Sequence, residues 1–113
     1  MNVNVSELSD FLAFCAEKEL KRDFFNSIFM KNGFAFGLDS AACAVRDIAA
    51  NRATVVDFFV VSQVISSKIY KATRELLDVR RMGRIRFLQS YIEGLEKAMR
   101  LARAFAASYR EVW

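Results

Sequence analysis

The sequence predicts an all-α fold: a four-helix, bundle-like single domain (residues 1–113) that ends in a long antiparallel helical hairpin, about 54–81 and 85–113. Three observations predict it. The chain has no proline and only four glycines, so the residues that punctuate β-rich and loop-rich folds are scarce. Hydrophobic residues make up 54% of the chain, which argues against disorder. The last quarter of the chain has the apolar spacing of a packed helix.

The first helix begins near Ser6, which is a good N-cap residue, and carries Leu8 and Leu12 on its apolar face. The residues Lys31-Asn32-Gly33 are typical of a helix stop, so the helix is expected to end there. The aromatic segment after it, residues 34–37, is predicted to be a short loop whose rings must be buried somewhere.

The second helix is short and rich in alanine, from Asp39 or Ser40 to about Asn51, and its small side chains allow neighbouring helices to approach closely. The third helix opens at Thr54, with Asp57 three residues later as an imperfect capping box. It is predicted to run to about residue 81.

The fourth helix has an apolar seam in which the intervals alternate between three and four residues. The seam residues are Ile85, Leu88, Ile92, Leu95, Met99, Ala102, Ala106, Tyr109 and Trp113. A second apolar column beside it, at intervals of seven, is Tyr91, Ala98, Phe105 and Val112. Two adjacent columns form a face too broad for one partner, so this helix is predicted to be the spine of the bundle.

The third and fourth helices have complementary seams if the chain turns back near Met82-Gly83. In that register Leu76 faces Leu88 and Ile69 faces Leu95, a constant sum of residue numbers. The alternative, one continuous helix, would move the apolar stripe to another face at the turn. The first two helices are predicted to cover the base of the hairpin and to leave its tip free.

Charge and cysteines indicate the compartment and the partners. The net charge is +4, and residues 1–53 carry six Lys/Arg and seven Asp/Glu, so residues 54–113 carry the basic excess. The two cysteines, Cys15 and Cys43, are predicted to be buried free thiols, which suits a reducing cytoplasm. The chain starts without a basic-then-apolar signal, and its most apolar run, about 12 residues, is too short to span a membrane. We therefore predict a cytoplasmic protein with no membrane partner.

Catalysis is not expected from this composition. There is no histidine, which removes the commonest general base and metal ligand, and the two isolated cysteines form neither a zinc-site spacing nor a Cys-x-x-Cys motif. No glycine-rich phosphate loop is present. The sequence predicts a protein that is not an enzyme and that uses neither cofactor nor metal.

The most suggestive cluster is a group of arginines at the predicted hairpin tip. The candidate partner-binding or phosphate-binding residues are Arg80, Arg81, Arg84, Arg86, Tyr70 and Tyr91. Cations favour a helix C-terminus, which accounts for the first two arginines, but the helix dipole disfavours the two that begin the next helix. The alternative is a solvated turn without a partner.

A second surface is predicted for self-association, since a small apolar chain has apolar surface left over. The candidate interface residues are Phe34, Phe36, Phe105, Tyr109 and Trp113. The alternative for the last of these is a frayed terminus.

These patterns predict a small non-catalytic helical interaction protein, an adaptor, inhibitor or accessory factor, that forms a homo-oligomer (a dimer) and binds a protein partner through the hairpin. The alternative is a nucleic-acid-binding accessory protein that uses the basic tip. A third hypothesis is a chaperone with an apolar groove lined by Phe24, Phe25 and Phe29.

Overall fold

The computed structural model describes residues 1–26 and 33–111, with side chains described for 1–21 and 33–108. In these ranges the chain forms four helices and two short strands. They are β1 (Asn2–Asn4), α1 (Val5–Asn26), α2 (Gly33–Asn51), β2 (Val55–Asp57), α3 (Phe58–Asp78) and α4 (Met82–Glu111). The helices pack around a shared hydrophobic core, so the predicted all-α, bundle-like fold is confirmed.

The longest helix, α4, is the spine of the structure, as its two apolar columns predict. It packs against α2 and against α3, and α1 packs on α2. Gly33 of α2 lies beside Ser90, and Gly37 lies beside Gly94, so α2 and α4 run in the same direction. Helix α2 therefore packs along the length of the hairpin, whereas the sequence predicted that the first two helices would cover only its base.

The predicted hairpin is present, but its turn lies at residues 79–81, three residues before the predicted gap between 81 and 85. Helix α3 ends at Asp78 because Val79 is extended (φ −84°, ψ 138°), and the amide of Val79 donates to the carbonyl of Glu75. Helix α4 begins at Met82, and its first turn is closed by a 2.9 Å hydrogen bond from the amide of Ile85 to the carbonyl of Arg81. The arms are therefore three residues apart, with Gly83 inside the second arm.

The predicted seam is confirmed in part by burial. In α4, Leu88, Leu95, Ala102 and Ala106 are buried, Ile85, Ile92 and Met99 are half-buried, and the side chains of Tyr109 and Trp113 lie outside the described residues. In α3, Phe58, Ile65 and Ala72 are buried, as is Val61 beside them. The extents of the structure, 47 × 31 × 22 Å, match a 30-residue spine, which is about 45 Å long. Of the helices in the described ranges, none combines the length and apolarity that crossing a bilayer requires.

The N-cap of α1 lies two positions before the predicted one. The helix begins at Val5, and the side-chain oxygen of Asn4, rather than that of Ser6, accepts from the amide of Glu7 at 3.0 Å. The carbonyl of Ser6 instead accepts a hydrogen bond from the hydroxyl of Ser9. Asn4 and Ser6 are both residue types that favour the N-cap position, and Asn4 takes it because the strand before the helix ends there.

The predicted loop at residues 34–37 is wrong, because this segment is the first turn of α2. The two glycines of α2, Gly33 and Gly37, lie on one helix face, against the backbone of α4. This close packing offsets the poor helix propensity of glycine. The other two residues of the predicted helix stop, Lys31 and Asn32, lie outside the described residues.

The predicted start of α3 at Thr54 is also wrong. Residues 55–57 pair with residues 2–4 as an antiparallel two-stranded sheet, with Val3 opposite Val56. Helix α3 begins after them, and Asp57 is its N-cap, with a carboxylate oxygen that accepts from the amide of Phe59 at 2.8 Å. Two three-residue strands that are distant in sequence have no periodicity by which to be detected.

The cysteine prediction is half wrong. Both thiols are free, as expected, but Cys15 is half-buried and Cys43 is exposed on the outer face of α2. An alanine-rich helix with few large residues gives little indication of which side faces the core.

Candidate binding surface at the hairpin tip

We define the hairpin tip as residues 79–86, the turn and the first residues of α4. It contains four arginines and no acidic residue. The first turn of α4 contains no carboxylate to balance the helix dipole. Each cation at a helix N-terminus costs about 0.3–1 kcal/mol, so compensating contacts are needed.

Arg84 has such contacts. Its guanidinium forms an ion pair with Glu75 of α3, with distances to the carboxylate of 2.6 Å from Nη2 and 3.1 Å from Nε. The same group lies over the ring of Phe87, 5.2 Å from its centroid. Arg84 therefore ties the two arms of the hairpin together, a role that the sequence analysis missed because the two residues are nine positions apart across a turn.

The other three arginines, Arg80, Arg81 and Arg86, are exposed. None of them forms an ion pair with a residue that the structure describes. Their guanidinium groups are exposed to solvent at the tip of a hairpin whose helices pack in the core. They are therefore available to an anionic partner.

An aromatic column lies beside these cations, and it includes a residue from another helix. Phe36 of α2 contacts Phe87, with ring centroids 5.9 Å apart, and Phe87 stacks on Tyr91 at 6.0 Å. Phe36 and Phe87 line an open cleft of about 690 Å³ together with Arg81, Gly83 and Arg84. The structure thus joins Phe36, which was predicted for self-association, to the predicted tip site.

The two candidate tyrosines differ in their surroundings. Tyr91 is half-buried, and its hydroxyl donates to the hydroxyl of Ser40 at 2.7 Å, so its ring supports Phe87 from behind. Tyr70 is 62% exposed and accepts a hydrogen bond from Arg74. It precedes the end of α3 by about two turns, or about 12 Å along the helix, and lies away from the cleft.

Of the remaining residues predicted for self-association, the two whose side chains the structure describes, Phe34 and Phe105, lie at different places along α4. Phe34 is half-buried against the core, and Phe105 stacks on Phe11 at 5.5 Å. Phe105 follows Phe87 by 18 residues, which places it about 27 Å further along α4 than the cleft at Phe36. The side chains of Tyr109 and Trp113 lie outside the described residues, as do those of Phe24, Phe25 and Phe29.

Shifted pKa values occur away from the tip. Burial raises the pKa of the Cys15 thiol, and the amide of Phe59, followed by the N-terminal amine of Met1, lowers the pKa of Asp57. Among the residues that the structure describes, no three side chains of the metal-binding types converge. The chemistry that the tip offers is the binding of anions beside an apolar cleft.

Comparisons of this chain with known protein families, with curated protein sequences and with solved structures find no match.

Proposed function

We propose that this is a non-catalytic helical interaction protein of the cytoplasm, an adaptor, inhibitor or accessory factor, that binds an acidic protein partner at the hairpin tip and that associates with itself. The observation that carries the proposal is the set of exposed, unpaired cations at Arg80, Arg81 and Arg86 beside an apolar cleft. The tip combines charge with aromatic surface, and it is held by two core helices.

Arginine and aromatic residues are the types that dominate binding energy at protein interfaces. A guanidinium binds a carboxylate through two parallel hydrogen bonds, which fixes orientation as well as charge. The cleft beside Phe36, which is 54% exposed, provides room for one apolar side chain of the partner. We therefore expect the partner to present carboxylates around an apolar anchor.

The test compares the wild type with a variant that reverses the tip charges, Arg80→Glu/Arg81→Glu/Arg86→Glu. The matched control, Arg46→Glu/Arg100→Glu/Arg103→Glu, makes the same change in net charge at exposed arginines outside the tip. Each protein is used as bait in an extract of the native host, and the captured proteins are quantified by mass spectrometry. Circular dichroism checks that all three baits are equally helical.

The proposal predicts an acidic protein that the wild type and the control capture and that the tip variant loses. A direct titration with that protein, once purified, must then reproduce the loss. If the tip variant captures the same proteins as the wild type, the hairpin tip is not the binding surface and the proposal fails.

A second candidate is the binding of single-stranded nucleic acid at the same tip. Exposed Phe36 beside Arg81 is the observation that favours it, since bases stack on aromatic rings and arginine planes. A fluorescent single-stranded oligonucleotide distinguishes the two. Nucleic-acid binding would weaken steeply between about 50 and 200 mM salt and would weaken further in Phe36→Ala. Since an acidic protein partner would also bind less tightly at high salt, salt alone does not separate the two candidates. A wild type that fails to bind the oligonucleotide at about 50 mM salt rules out the nucleic-acid candidate.

A further inference from the structure

Three large apolar side chains of α3 point away from the core. Phe59 is 64% exposed, Tyr70 is 62% exposed and Leu77 is 81% exposed. They are spaced by 11 and then 7 residues, so at about 100° per residue they lie within about 20° of one another around the helix. They therefore form one stripe on the outer face of α3, about 130° around the helix from the middle of its buried side.

The stripe has the spacing of a second helical seam. Its positions are Phe59, Gln63, Ser66, Tyr70, Thr73 and Leu77, at intervals that alternate between four and three residues. All six are exposed, and the guanidinium of Arg74 lies 5.9 Å from the centre of the Tyr70 ring. The buried face of the same helix uses a different set, which includes Val61 and Ile65. A helix with a heptad pattern on two faces has the surface for two partner helices.

We propose that this stripe is the surface through which two copies of the chain associate, with the two α3 helices antiparallel. The inference gives a location to the self-association that the proposed function includes, and it does not involve the hairpin tip. Phe59 of each copy packs on Leu77 of the partner subunit, and Ser66 packs on Tyr70 of the partner subunit.

The antiparallel register makes the stripe complementary to itself. Pairs of residues whose numbers sum to 136 face each other, so apolar Phe59 meets Leu77, polar Gln63 meets Thr73, and small Ser66 meets bulky Tyr70. Large residues against small ones fill a helix interface, and polar residues against polar ones avoid an unpaired group.

Charge selects the antiparallel arrangement over the parallel one. Each hairpin tip has four arginines and no carboxylate, and it begins two residues after Leu77, with the single carboxylate of Asp78 between them. Parallel helices would place the two tips side by side. In the antiparallel register the two Leu77 positions are about 27 Å apart along the helix axis, beyond the screening length of about 8 Å at physiological salt.

The surface beside the stripe adds a mixed apolar and polar contact. A groove of about 680 Å³ lies between α2 and α3. Its apolar lining includes Phe59, Val60, Val64 and Ile48, and its charged lining is Asp47, Arg52, Lys68 and Lys71. A helix laid on the stripe also covers the α3 side of this groove. This additional surface matters because three of the six seam positions are polar, so the seam alone would be weak.

The test uses charge pairs placed at the facing positions. Phe59→Glu and Leu77→Lys each put a charge against an apolar residue, which weakens the dimer by at least about tenfold. Neither change should disturb the fold, since the side chains are exposed and the charges suit the N-terminal and C-terminal ends of α3. Sedimentation velocity over a series of concentrations measures the dissociation constant.

An equimolar mixture of the two variants is the decisive sample. In a mixed antiparallel dimer the introduced glutamate faces the introduced lysine, and at the other end native Leu77 still faces native Phe59. We expect the mixture to dimerise more tightly than either variant alone. Phe14→Glu, a change at an exposed residue of α1, is the matched control and should leave the wild-type dissociation constant unchanged.

The outcomes separate this inference from the rest of the proposed function. A wild-type dimer that neither variant weakens overturns the stripe and leaves self-association standing. Weakening of both variants without recovery in the mixture overturns the antiparallel register. A wild type that is monomeric at every concentration overturns both the stripe and self-association, while binding at the hairpin tip is measured independently.

Discussion

Gly37 and Gly94 bring the backbones of α2 and α4 into direct contact. A Cβ atom added at Gly94 would lie 3.0 Å from the Cα of Gly37, and one added at Gly37 would lie 2.9 Å from the Cα of Gly94. Real Cβ atoms do not approach a neighbouring backbone this closely. The contact fixes α2 along α4 and thereby holds Phe36 at the hairpin tip, so a pair of residues without side chains positions the candidate site.

Gly94→Ala should therefore lower the free energy of unfolding by about 1–3 kcal/mol, because the added methyl group forces the helices apart. Urea denaturation followed by circular dichroism measures the change. Gly83→Ala is the control: no atom lies within 4 Å of its added Cβ, and the residue is helical. It should be neutral or stabilise by about 0.4–1 kcal/mol. Equal stabilities of the two variants would contradict the close crossing.

Leu95→Ala should destabilise the fold by about 2–5 kcal/mol, since it leaves a cavity in the core. Leu95 is inaccessible to solvent and belongs to the cluster that contains Leu38 and Ile65. Thermal or urea denaturation checks this. Leu20→Ala, at a half-exposed residue of α1, removes the same atoms and should cost less than about 1 kcal/mol. A Leu95 variant that melts within a degree or two of the wild type would refute the seam.

Stability should fall at acidic pH through the carboxylate of Asp57. The amide of Phe59 and the amine of Met1 lower its pKa in the folded state below the ordinary 3.8. The stabilisation is therefore complete above the pKa of the unfolded chain and is lost as pH falls through the lowered, folded-state pKa. The melting-temperature difference between the wild type and Asp57→Asn should be largest well above the ordinary pKa of 3.8 and should shrink progressively as the pH falls below it. A difference independent of pH would contradict this.

The two cysteines should react at different rates. Burial raises the pKa of Cys15, an effect that the positive charges of Lys18 and Lys97 partly offset, whereas Cys43 is exposed. Since the thiolate is the reactive form, a thiol reagent at neutral pH should label Cys43 first and Cys15 several-fold more slowly. Peptide mass spectrometry over time follows both sites. Labelling in denaturant should remove the difference; equal rates in the native protein would argue against the burial of Cys15.

The long hairpin was predictable because its seam spans many turns. Leu88 and Leu95 lie in a pattern that is repeated often enough to specify both the helix and its apolar face. The short elements were not predictable in this way. The strand at Val55–Asp57 depends on pairing with residues at the start of the chain, and the helical turn at Gly37 depends on contact with Gly94. Both are tertiary effects that override local propensity.

The candidate site, like the fold, could be predicted only in part from the sequence. The arginines of the tip follow from the sequence, since four cations at one turn are visible as a cluster. Which of them are available does not follow, because the pairing of Arg84 with Glu75 depends on how the two arms pack. Phe36 was assigned to another surface because α2 was expected to start later and to leave the tip bare. The outer stripe of α3 does not follow from the sequence because half of its positions are polar.

The ion pair between Arg84 and Glu75 affects how the hairpin tip responds when a ligand binds there. Both side chains are nearly half exposed, so the pair contributes at most about 1 kcal/mol and exchanges readily. An incoming carboxylate or phosphate competes for the same guanidinium, and Glu75 is then released to water. Ligand binding would thus break the ion pair that links the two helices of the hairpin. Amide hydrogen exchange at residues 79–81 should therefore become faster on binding, whereas a bound ligand usually slows exchange at the site that it covers.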